Sequence, residues 1–97
     1  MKGYWVAFVN VNDKVAYQDY LDLAPAALKK YGAKLLSRGE GVTAIEGFES
    51  PPDRAVVFEF DSYESALNCY HSEEYQAARK HRVNCAQANI LIMHGLS

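Results

Sequence analysis

Three short stretches of this chain are apolar on both sides of an extended backbone, and that constrains the fold more than any other feature. In YWVAFVNV (Tyr4–Val11), alternate residues are Tyr4, Val6 and Phe8 on one side and Trp5, Ala7, Val9 and Val11 on the other. In AVVFEF (Ala55–Phe60), Val56, Phe58 and Phe60 oppose Ala55, Val57 and Glu59. In ANILIMHG (Ala88–Gly95), Ile90 and Ile92 oppose Leu91 and Met93. Runs this short, rich in β-branched and aromatic residues, predict strands, whose successive side chains point to opposite faces. An antiparallel sheet with one wet face alternates apolar and polar residues. These strands do not.

The rest of the chain supplies cover for one face. Tyr17, Tyr20, Ala24, Ala27, Leu28 and Tyr31 recur at three- and four-residue steps, one apolar stripe on a helix. Asn12 is the expected N-cap, Asp13 suits the positive helix end, Pro25 should kink the helix and Gly32 ends it. AKLLSRG and GVTAIEG predict a hairpin that reverses at Gly39–Gly41, and FESPPDR is a loop. Asp61 and Glu64 are spaced as N-cap and N3 of a helix through Tyr70, and Ser72 opens another. The order β-α-β-β-β-α-α-β, with the hairpin as an elaboration, describes an α+β fold: a ferredoxin-like antiparallel sheet with helices on one face.

Two helical regions leave the second face bare. Burying about 500 Å² of apolar surface on each of two partners is worth roughly 25 kcal/mol before association costs. The simplest partner is a second copy, giving a homodimer through the sheet face. The competing arrangement folds the proline loop or the C-terminal segment over it.

At 97 residues the chain is one domain, residues 1–97. A formal net charge of -2 argues against an electrostatic grip on nucleic acid or anionic lipid. No apolar run approaches the ~20 residues needed to span a bilayer, and the start lacks the pattern of a signal peptide. Two cysteines, Cys69 and Cys85, make no disulfide framework, so a reducing cytoplasmic setting is expected.

MKGYWVAFVNVNDKVAYQDY, KYGAKLLSRGEGVTAIEG, RAVVFEFDSYESALNCYHSEEYQAARKHR and the closing ANILIM together resemble the domain-of-unknown-function 1330 family. The resemblance runs over essentially the whole chain. It implies the dimeric α/β-barrel superfamily, whose ferredoxin-like subunits pair sheet to sheet. That superfamily includes cofactor-free monooxygenases, haem enzymes and lactone isomerases, so the resemblance leaves the reaction open. One helix start that the family often writes Ser-Pro-Glu-Tyr is Ser72-Glu73-Glu74-Tyr75 here, and glutamate also suits a first helical position.

YHSEEYQAARKHR (Tyr70–Arg82) reads mostly as helix punctuation: a serine cap, acids in the first turn, bases in the last, and Tyr75 and Ala78 toward the core. His71 is the exception. It falls at the break between two helices and has a side chain suited to proton transfer near neutral pH. Cys69, His71, His81 and Cys85 lack the spacing of a zinc site, and no metal or cofactor is expected. Arg38, Glu46, Glu59 and His94 interrupt otherwise apolar strands, and a charge there must be paired, at a strand end or facing a wet cavity. Arg38–Glu46 or Arg38–Glu59 pairing is the structural explanation. The functional one is a pocket, between two sheets or between sheet and helices, for a small aromatic or carboxylate ligand. There Arg38 would orient an anionic group, Trp5 and Tyr31 would supply apolar wall, and His71 or Glu59 would be the catalytic proton-handling group. The alternatives are a cofactor-free monooxygenase-like or isomerase-like enzyme, and a structural or interaction subunit with no ligand.

Overall fold

The structure, a computed structural model, describes residues 1–39 and 41–96. Seven elements follow in the order β1 (Gly3–Val11), α1 (Lys14–Lys30), β2 (Lys34–Gly39), β3 (Arg54–Phe60), α2 (Tyr63–His71), α3 (Glu73–Lys80) and β4 (Ala86–His94). The strands form one antiparallel sheet in the order β2-β3-β1-β4. This is the ferredoxin-like α+β arrangement expected from the sequence, with α1, α2 and α3 on one face.

The register settles which side chains share a face. Trp5 stands opposite Phe58 on β3 and Ile92 on β4, and Ala7 opposite Val56 and Ile90. These point under the helices, where Trp5, Ala7, Val9 and Phe60 are buried. Tyr4, Val6 and Phe8 pair with Glu59, Val57 and Ala55, and with Met93, Leu91 and Asn89, on the open face. Leu91 and Met93 there remain 47% and 52% exposed. Both faces are apolar, and the helices cover one. The loop before β3 reaches the other at one point, where Phe48 meets Phe8 edge-on at 5.8 Å.

The stripe of α1 buries Tyr17, Ala24, Ala27 and Leu28, and the helix runs through Pro25. Its cap is one residue later than expected: Asp13, at φ -137° and ψ 101°, accepts from the amides of Val15 and Ala16. Ser62 rather than Asp61 caps α2, through Ser65 N at 3.0 Å. Ser72 caps α3 as expected, accepting from Tyr75 N at 3.1 Å and donating to the Cys69 carbonyl at 2.6 Å. Gly32 ends α1 at φ +84°, a conformation open to glycine at no steric cost.

The second half of the expected hairpin is not a strand. Residues 42–53 form an irregular connection, with Ile45 84% exposed. Glu40, part of the expected reversal at Gly39–Gly41, lies outside the described residues. The connection is pinned where it enters β3: Asp53 donates its amide to Asn10 Oδ1 at 3.0 Å, and its carboxylate accepts from Val11 N at 2.7 Å. Among the described residues no helix is long and apolar enough to cross a membrane.

Candidate functional site

α1 rests mainly on α3 while α2 lies across β1, β4 and β3. The space left between α1 and the sheet is a cavity of about 690 Å³. Small side chains keep it open. Ala7 at the middle of β1, Ala24 on α1, Ala33 before β2 and Ala88 on β4 all line it, where larger residues would fill it. Its apolar wall includes Trp5, Val9, Leu28, Val56, Phe58 and Ile90.

The polar part of the lining has one sign. Lys29, Arg38, Arg54 and Arg82 contribute cationic side chains, and among the described residues no aspartate or glutamate lines the cavity. None of the four takes part in an ion pair among the described residues. The chain carries a formal net charge of -2, so positive charge is concentrated here against the overall balance.

Two of the four cations meet an aromatic ring. Arg54 lies over Tyr17 and Arg82 over Tyr20, both 5.4 Å from guanidinium to ring centroid. Tyr20 and Tyr75 share a hydrogen bond at 2.8 Å between their hydroxyls, and Arg82 Nη2 donates to Tyr75 Oη at 3.5 Å. Either hydroxyl can donate in the Tyr20–Tyr75 bond, so the three side chains form one connected polar group. Burial pushes the Tyr20 and Tyr75 phenols above their ordinary range, which keeps both neutral donors rather than bases. Trp5 completes this aromatic group, 5.0 Å from Tyr75 and near-perpendicular to it.

The expected site residues separate. Trp5 and Arg38 line the cavity. Tyr31, at the end of α1, is half-buried and is not part of the lining. Glu59 points to the open face, where it accepts from Tyr4 Oη at 3.1 Å and sits 3.9 Å from Lys2 Nζ. That hydrogen bond raises the Tyr4 phenol. His71 is the exposed last residue of α2, its ring edge-on to Tyr70 at 5.3 Å. Arg38 is opposite Val56 in the ladder and so across the sheet from Glu59, and neither Arg38–Glu59 nor Arg38–Glu46 forms an ion pair among the described residues. His94 stacks on Tyr63 at 3.9 Å at a strand end. Cys69 and Cys85 are free and buried, and no cluster of three His, Cys, Asp or Glu side chains suited to a metal occurs among the described residues.

Sequence reasoning passed over Arg54 and Arg82. Arg54 continues the alternation of Val56, Phe58 and Phe60, which places it on the helix-covered face. Arg82 was absorbed into the basic end of α3, yet it follows Tyr75 by seven residues and Ala78 by four, the spacing of a shared helical face.

An antiparallel four-stranded sheet carrying its helices on one face, with a cavity between them, defines the ferredoxin-like class. The chain belongs to the family described as Domain of unknown function (DUF1330), whose model matches residues 2–96. Solved structures share the fold at low identity. A protein of unknown function from Rhodopseudomonas palustris has a TM-score of 0.78 at 16% identity, over 99% of this chain and 83% of that one. SnoaB, a cofactor-independent oxygenase from Streptomyces nogalater, has a TM-score of 0.67 at 4% identity, over 99% and 94%. A dimeric protein of unknown function and ferredoxin-like fold from Bacteroides fragilis has a TM-score of 0.65 at 13% identity, over 97% and 96%. No curated protein matches the chain.

Proposed function

We propose that this protein is a homodimer that binds one small, partly apolar organic molecule in each subunit, in the cavity between α1 and the sheet. The observation that carries the reading is the lining: an apolar, aromatic wall with four cations and, among the described residues, no carboxylate. A cavity of about 690 Å³ suits a small ligand, since such sites run from roughly 300 to 1,000 Å³. Trp5 and Phe58 supply flat apolar contact, and the exposed Arg38 draws an anionic group to the entrance. The open sheet face, with Val6, Val57, Leu91 and Met93, is the surface through which two copies pair. The dimeric protein from Bacteroides fragilis supports pairing of two copies for a chain of this fold.

Trp5 is the single tryptophan and lies in the cavity wall, so its fluorescence reports occupancy. Titration with small aromatic compounds, charged and neutral, should give saturable changes in emission for at least one of them. No change with any, alongside normal folding, would sink the reading.

The likeness to SnoaB favours a second reading, a cofactor-free monooxygenase, with an isomerase as its near relative. Such chemistry needs a proton acceptor at the ligand. The two phenols in the lining, Tyr17 and Tyr20, are raised by burial and so held neutral, while Glu59 and His71 lie away from the cavity. Oxygen uptake with phenolic substrates, showing a rate limb near the histidine range, would move the conclusion to the enzyme. A purely structural subunit needs no cavity, and absence of binding in the titration is its signature.

A further inference from the structure

Three of the four cations in the cavity are exposed or half-exposed, and one is buried. Lys29 and Arg38 are exposed and Arg54 is half-buried, whereas Arg82 is only 6% exposed. A buried guanidinium ordinarily faces a carboxylate, because removing its charge from water is costly. Arg82 has none. Its partners are the Tyr20 ring and a single hydroxyl at 3.5 Å, the long limit of a hydrogen bond. Its Nε is buried with no hydrogen-bond partner among the described residues. The side chain also borders a second cavity, of about 520 Å³, between α2, α3 and β4, so it stands as a wall between two open spaces.

A planar fork at the wall of an apolar cavity, held over an aromatic ring and with its one hydroxyl contact at the long limit, suits a planar anion. We propose that Arg82 is the anion anchor of the cavity, and that the ligand is an aromatic carboxylate bound with its carboxylate inward on Arg82 and its ring toward Trp5 and Phe58. The inference rests on the cavity reading above and adds the ligand's charge, its orientation and the residue that selects it. A carboxylate accepts two parallel hydrogen bonds from a guanidinium edge, which a carboxamide cannot do. The Tyr20 ring and the Tyr75 hydroxyl hold the fork in place. Arg38, exposed and solvent-screened, assists entry but contributes little to selection.

Isothermal calorimetry with benzoate and benzamide, which match in shape and differ in charge, tests this directly. Wild-type protein should bind benzoate at least tenfold more tightly than benzamide. Arg82→Gln should erase that preference by weakening benzoate at least tenfold, with benzamide changed less than threefold. Arg38→Gln should change either affinity less than threefold. Equal binding of the two probes to the wild type would overturn the anchor and leave the cavity reading standing. A preference that survives Arg82→Gln and disappears in Arg38→Gln would also overturn it. Binding of neither probe would overturn both. If circular dichroism shows that Arg82→Gln does not fold, Arg82→Lys replaces it: charge is kept, the fork is lost, and benzoate should weaken at least fivefold with benzamide unmoved. No change in that variant would overturn the proposal.

Discussion

Leu91→Glu is the sharpest test of the open face. Leu91 lies mid-strand on β4, opposite Val6, and is 47% exposed in the single subunit. Full burial of a leucine side chain is worth about 1.5–3 kcal/mol, so pairing would contribute the remaining half, about 1 kcal/mol per copy. A two-fold axis places the residue in the interface twice, which makes Leu91→Ala cost about 2 kcal/mol per dimer, or roughly a 30-fold rise in dissociation constant. Glutamate adds the desolvation of two carboxylates at several kcal/mol each, so Leu91→Glu should weaken the dimer by more than about a thousandfold. The substituted side chain points to solvent in the lone subunit, so the fold should survive. Sedimentation across a wide concentration range reads the equilibrium, and circular dichroism checks the fold. Leu23→Glu is the control, since Leu23 is similarly exposed, at 45%, but on α1. A Leu91→Glu protein that sediments as the wild type does, or two variants that weaken assembly equally, would show that this face is not the interface.

Three further outcomes follow from the geometry. Ala7→Ile grows a side chain into the cavity from the middle of β1, so ligand affinity should fall at least tenfold while the melting temperature changes little; unaltered binding would place the ligand elsewhere. Ser72→Ala removes the cap of α3 together with the bond to the Cys69 carbonyl, at a cost of about 1–2 kcal/mol in urea unfolding, and a loss below a few tenths would show the cap to be replaceable by water. Burial raises the Cys69 thiol from an ordinary 9.0 to about 11, so its contribution is whole below pH 9.0 and is lost as pH rises through about 11. The slope is at most about 1.4 kcal/mol per pH unit from this one group. Cys69→Ala should flatten that part of the alkaline stability curve, and an unchanged slope would assign it wholly to the raised tyrosines.

The strand alternation was legible in the residues alone, and so was its consequence, an apolar surface on each side of the sheet. The α3 cap at Ser72 was equally plain, because serine followed by two acids has few other uses. Caps next to rival polar residues were not: Asn12 and Asp13 both fit the chemistry, and only the backbone at Asp13 brings a carboxylate to two free amides. GVTAIEG has strand-like residues but no neighbour in the sheet, and strand propensity is realised only against a partner.

For the site, alternation sorts each strand into two sets but does not say which sets lie together. That depends on register between strands far apart in sequence. Register put Phe58 beside Trp5 and sent Glu59 to the open face. In β2 an irregularity between Leu35 and Ser37 shifts the alternation, so Leu35 and Arg38, three residues apart, both face the cavity. Local sequence therefore determined which residues are strand, helix and cap, since those choices depend on neighbours along the chain. Which charges converge on one cavity was decided by pairing and packing, where Arg38, Arg54 and Arg82 come together from three separate segments.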